Sequence, residues 1–121
     1  MKKTWVVFLA LLLGMVCAGC SSERYVERIV IDNPTEFIAN VDVTGGARDS
    51  WLGITTADAH SEKTVEQVYD QGSTWVFRFS YSGYEEEIQL SRAELARSDW
   101  RVQVPDSFAT ALRTRGVPPP P

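Results

Sequence analysis

The stretch Thr74-Trp75-Val76-Phe77-Arg78-Phe79-Ser80-Tyr81 decides the fold. Trp75, Phe77, Phe79 and Tyr81 alternate with Thr74, Val76, Arg78 and Ser80, so a β-strand here carries four consecutive aromatic rings on one face. Each ring contributes about 1.5–3 kcal/mol of gross transfer free energy when fully buried, which predicts a strand through the centre of the core. Upstream, Asp70-Gln71-Gly72 reads as a turn, preceded by strands at Lys63 to Tyr69 and Trp51 to Thr55. Earlier still, Phe37, Ala39, Val41 and Val43 share one face, Ile38, Asn40, Asp42 and Thr44 take the other, and Gly45-Gly46 ends the strand. The first strand is expected over Tyr25 to Ile31, closed by the turn residues Asp32-Asn33-Pro34-Thr35.

Downstream, Tyr84 to Leu90 forms a sixth strand with Tyr84, Ile88 and Leu90 in register; Glu86 on the same face points to a sheet edge. Ser91-Arg92-Ala93-Glu94 matches a capping box and predicts a turn or two of helix around Leu95. Trp100, Val102 and Val104 make the seventh strand, ended by Pro105. Asp106 or Ser107 then caps a last short helix, with Phe108 and Leu112 on one face, Arg113 and Arg115 near its C-terminal dipole and Gly116 closing it. Short strands separated by turn chemistry every 8 to 12 residues indicate an all-β fold: a small seven-stranded immunoglobulin-like or transthyretin-like sandwich with one or two short helices near the C-terminus, a partly open barrel being the second choice. The domain is expected over residues 25–116, followed by an extended, exposed Pro-rich tail at 117–121.

Cys17 and Cys20 are the only cysteines, so the domain has neither an internal disulfide nor a cysteine metal site and rests on packing. Residues 1–19 read as an export signal: Lys2 and Lys3 form a positive start, and Trp5 to Val16 is an uncharged apolar run of 12 residues. The sequence Cys17-Ala18-Gly19-Cys20 resembles the lipobox of bacterial lipoproteins, with Cys17 where that family usually has an aliphatic residue. The resemblance implies cleavage before Cys20, a diacylglyceryl thioether on its sulfur, and a membrane-anchored place in the cell envelope. Ser21 after the lipidated cysteine further implies the outer membrane, facing the periplasm, in an organism with two membranes. The competing reading is an uncleaved membrane helix, because residues 4–22 carry no charge; the small-residue ending favours cleavage. Residues 20–24 would then be a short lipidated tether. Four residues separate Cys20 from Tyr25, which at about 3.3 Å each span less than roughly 20 Å.

Without Lys2 and Lys3 the chain has 10 Lys+Arg against 16 Asp+Glu, a balance of −6 that argues against nucleic acid and against a purely electrostatic hold on anionic lipid. His60 is the only histidine and lies in a polar connection with no nucleophile to serve, so it is read as a solvated loop residue. Glu85, Glu86 and Glu87 with Asp70 or Asp49 have the oxygen chemistry for calcium but lack a ligand loop, and a charged edge is the better account. Gly45-Gly46-Ala47-Arg48 offers amides and a guanidinium to an anion but reads as a hairpin turn. The aromatic stripe is assigned to the core and the Pro tail to a solvated end. No catalytic residue, metal ligand or cofactor is assigned; the site residue is Cys20 as lipid attachment. The expected protein is a non-enzymatic lipid-anchored envelope module that binds a protein or cell-wall component, the alternative being a small-molecule- or metal-binding lipoprotein.

Overall fold

The aromatic segment is strand β5 (Thr74–Tyr81), with Trp75, Phe77 and Phe79 fully buried and Tyr81 half-buried at its end. Around it the computed structural model, which describes residues 25–121, places β1 (Tyr25–Asn33), β2 (Ala39–Gly45), β3 (Leu52–Ala57), β4 (Ser61–Tyr69), β6 (Tyr84–Ser91), α1 (Arg92–Arg97), β7 (Arg101–Gln103) and α2 (Asp106–Thr114). The residues read as an export signal (1–19) and as a lipidated tether (20–24), Cys20 among them, lie outside the described residues.

The seven strands form a two-sheet sandwich, not a barrel. One sheet has the order β3-β2-β5-β6 and is antiparallel throughout; the other has the order β4-β1-β7, with β1 antiparallel to β4 and parallel to β7. Alternation places Val41, Val43, Trp75, Phe77 and Phe79 of the first sheet against Ile29, Ile31, Val68 and Val102 of the second. β1 and β4 leave strict alternation at the same place, where buried Val26 and Val68 are followed by buried Ile29 and half-buried Val65. Val26 pairs with Val68 and Ile29 with Val65, three positions on instead of two, and Gln67 beside the step has φ 53°.

Both helices pack against β6, the edge strand of the four-stranded sheet. Ser91 caps α1 by accepting from the Glu94 amide, and the Glu94 carboxylate accepts from the Ser91 amide, as the capping box predicts. Leu95 is buried beneath it. The start of α2 differs from expectation: Pro105 is the N-cap and makes no side-chain cap hydrogen bond, while Ser107 donates to Glu86 of β6. At the other end, Gly116 (φ 75°) donates its amide to Arg113 O and Val117 donates to Leu112 O, a Schellman closure. Val117 accordingly packs on the core and belongs to the domain instead of the tail.

Other boundaries move as well: β1 runs on to Asn33, into the expected Asp32–Thr35 turn, β3 spans Leu52–Ala57 and β4 starts at Ser61. β2 begins at Ala39, because Phe37 is buried in the connection before it and its amide donates to Thr35 Oγ1. β7 is only three residues long: Trp100 leaves the extended conformation at φ 58°, and Val104 continues alongside β1 through its amide bond to Asp32 O.

Asn33 ties the two sheets at the end opposite Tyr25. It is fully buried, donates Nδ2 to Phe37 O, Ala57 O and Asp58 O, and accepts on Oδ1 from the Thr35 amide and hydroxyl. One side chain thus holds the β1–β2 connection against the β3–β4 corner. Removing it leaves buried partners unpaired, so Asn33→Leu is expected to lower unfolding free energy by about 2–4 kcal/mol, measured as a shift in the urea midpoint. At the β5–β6 hairpin, Ser82 (φ 50°) and Gly83 (φ 82°) fill a two-residue turn with both residues left-handed. Asn tolerates that conformation better than Ser, so Ser82→Asn is expected to raise the same midpoint by about 0.5–1 kcal/mol.

Candidate functional site

Two surfaces gather polar and aromatic side chains from distant parts of the chain. The first is the outer face of the four-stranded sheet. Arg78, the only charged residue of β5, points away from the aromatic stripe, and its guanidinium lies 4.0 Å from the centroid of the Trp51 ring. The same guanidinium donates to Asp42 Oδ2 from Nε at 3.3 Å and from the terminal nitrogen at 3.1 Å, with Glu85 3.7 Å from Nε. Thr44 is buried on this face and donates its hydroxyl to Ser50 O at 2.7 Å, so the connection leading to Trp51 folds back over β2. Asn40 and Thr56 extend the face, with the Thr56 hydroxyl donating to Asn40 Oδ1 at 2.9 Å.

The second surface is a cleft of about 320 Å³ where β1 starts, lined by Tyr25, Val26, Glu27, Arg28, Arg92, Asp99 and Trp100. Its far wall is strained backbone: Asp99 and Trp100 both have left-handed φ, 55° and 58°, which costs about 1–3 kcal/mol per non-glycine residue. Bonds on every side hold the pair. Asp99 and Trp100 donate their amides to Ala96 O and Leu95 O, Trp100 O accepts from the Val30 amide, and the Trp100 ring packs edge-on against Trp75 at 5.4 Å. Arg92 stands 5.4 Å over the Trp100 ring and pairs with Asp70; Arg28 reaches Asp99 at 3.7 Å. Beside the cleft, the rings of Tyr25 and Tyr69 lie 4.7 Å apart, 45% and 53% exposed.

The residues singled out in the sequence are distributed otherwise. His60 is exposed in the β3–β4 corner with φ 53°, its amide donating to Thr35 O. The three consecutive glutamates lie on a strand and do not converge: Glu85 and Glu87 face outward toward Arg78 and Arg48, while Glu86 accepts from Tyr84 and Ser107. That bond, with burial, pushes the Tyr84 phenol up. Asp70 accepts from the Gly72 amide and from Arg92, and Asp49 is exposed. Among the described residues no three acidic, histidine or cysteine side chains form a metal-sized group. Gly45 to Arg48 is a turn closed by the Arg48 amide on Gly45 O, and the Arg48 guanidinium pairs with Glu87, which joins this turn to strand β6 through an ion pair. Cys20 lies outside the described residues.

Trp51, Arg78 and Asp42, and the cleft residues Arg28, Arg92, Asp99 and Trp100, carry no local motif. Arg78 and Asp42 are 36 positions apart and meet only because β2 and β5 pair. The lone charge inside an aromatic strand was the one available signal.

No protein-family model, curated protein or solved structure matches this chain.

At the opposite end, Arg113 of α2 grips Glu36 through two 2.7 Å hydrogen bonds, and this guanidinium is the main cause of a Glu36 carboxyl pKa lowered to about 2. A carboxyl whose folded pKa is depressed stabilises fully above its ordinary value of 4.5 and loses that contribution as pH falls through about 2. Glu36→Gln is therefore expected to show a smaller fall in urea midpoint than the wild type between pH 5 and pH 2, measured by fluorescence in matched buffers.

Proposed function

We propose that this chain is a non-enzymatic, lipid-anchored cell-envelope protein whose sandwich binds a protein partner at the outer face of the four-stranded sheet. The observation that carries the reading is the Trp51 ring lying 4.0 Å from the Arg78 guanidinium on that face. Trp and Arg are the residue types in which binding energy concentrates at protein interfaces, and here each is fixed by the other before a partner arrives. Asp42 and Glu85 hold the guanidinium from its other sides, and Asn40 and Thr56 supply hydrogen-bonding groups around it. Support for the anchor comes from Cys17-Ala18-Gly19-Cys20 and its spacing: β1 starts five residues after Cys20, so the domain stays close to the bilayer. Two or three acyl chains, at about 0.8 kcal/mol per buried methylene, hold it there essentially permanently.

In-cell crosslinking of tagged chains tests both halves. Cys20→Ala is expected to move the protein from the membrane fraction to the soluble fraction and to abolish capture of a membrane-proximal partner. Trp51→Ala is expected to keep its membrane association and lose partner affinity by about 30-fold or more, as an interface anchor does. Unchanged capture by Trp51→Ala would move the binding surface elsewhere, and a membrane-bound Cys20→Ala chain would count against the lipid anchor.

A further inference from the structure

We propose that the cleft at the start of β1 takes the zwitterionic headgroup of a phospholipid, a phosphoethanolamine, from the membrane that carries the anchor. This rests on the lipid-anchored reading. Its effect is to seat one end of the sandwich on the bilayer, so that the domain is oriented as well as tethered.

The first argument is reach. Tyr25 lines the cleft and stands five residues beyond Cys20, so an extended tether of about 3.3–3.6 Å per residue keeps the cleft within roughly 18 Å of the anchoring sulfur. The second is chemistry. The lining holds two guanidiniums, Arg28 and Arg92, two carboxylates, Glu27 and Asp99, and two aromatic rings, Tyr25 and Trp100. A phosphate diester is matched by paired guanidiniums, each of which has five N–H donors and commits only some of them to Asp99 or Asp70. The ammonium of the same headgroup is matched by the carboxylates, of which the Asp99 side chain is 91% exposed. A headgroup with only negative charge would place that charge against Glu27 and Asp99, so the balanced lining selects a ligand that carries both signs.

Size and setting agree. A volume of about 320 Å³ falls at the small end of ligand sites and suits a headgroup. The Tyr25 and Tyr69 rings beside the cleft are about half exposed, and tyrosine, with an apolar body and a polar tip, favours the membrane–water boundary. The left-handed Asp99-Trp100 step brings a carboxylate and an indole to the same rim, which extended backbone would send to opposite faces.

The test uses the full chain purified from its membrane and placed in vesicles of phosphatidylethanolamine with phosphatidylcholine, or in maltoside micelles that contain no phosphate. Hydrogen exchange is expected to slow at least about threefold at residues 25–30 and 98–101 in the phosphatidylethanolamine vesicles, relative to the micelles. In Arg28→Gln/Arg92→Gln that difference is expected to vanish while exchange in β5 is unchanged. Intact mass of the same preparation reads the acyl chains on Cys20 separately. A lipidated wild type with equal exchange in vesicles and micelles would overturn the cleft proposal and leave the anchor standing. Protection that survives in the double Arg variant would overturn it as well, and a chain without lipid would overturn the anchored reading and this proposal with it.

Discussion

Three rings of β5, Trp75, Phe77 and Phe79, are fully buried between the sheets, and the placement of most other elements answers to them. No disulfide is available to residues 25–121, so apolar burial must offset the chain entropy of a small domain. β5 lies inside its sheet, between β2 and β6, because a strand with a solid aromatic face needs cover along its whole length. The opposing sheet supplies aliphatic residues in the middle, while Trp100 packs on Trp75 at one end and Phe108 on Phe79 and Phe37 on Tyr81 toward the other. Even the polar atom of this seam is satisfied: the Trp75 indole donates to Gly72 O at 3.1 Å.

Where the rings stop, polar groups take over the work of joining the layers. At one end Asn33 has every bonding group engaged with backbone or with Thr35, so a buried amide acts as a clamp instead of a destabilising vacancy. Arg113 and Glu36 add a second tie nearby, between segments 77 positions apart. Among the described residues the other end has no equivalent buried amide. The Asp99-Trp100 backbone is bent into a rarely populated conformation and held by α1, β1 and Trp75. One end of the sandwich is thus held by satisfied hydrogen bonds, and the other stores strain beside a cleft, at the end where the tether would enter.

The surfaces that carry the functional proposals are products of strand pairing. Arg78 is one charge in an aromatic strand until β2 brings Asp42 beside it and the folded-back connection lays Trp51 on it. The residues of the cleft come from β1, the start of α1 and the residues just after it. Neither set has internal spacing that a motif can express.

Read alone, the sequence determined the strands and their faces. β5 has the predicted bounds, the capping box of α1 is present, and Phe37, Ala39, Val41 and Val43 are buried together, because a period of two and local cap chemistry depend only on near neighbours. It also determined what holds the domain, since the cysteines lie outside it. Tertiary structure decided the rest. The parallel pairing of β1 with β7, and the strand order of both sheets, depend on contacts between distant segments. Trp100 reads as a strand residue by alternation, yet packing on Trp75 and bonds to α1 and β1 turn its backbone left-handed. Pro105 displaced Asp106 and Ser107 as the cap of α2 while Ser107 turned to Glu86, and Val117 joined the core through the closure of that helix. A side chain's partner is set by whichever surface the whole chain brings to it, and local pattern carries no information about that surface.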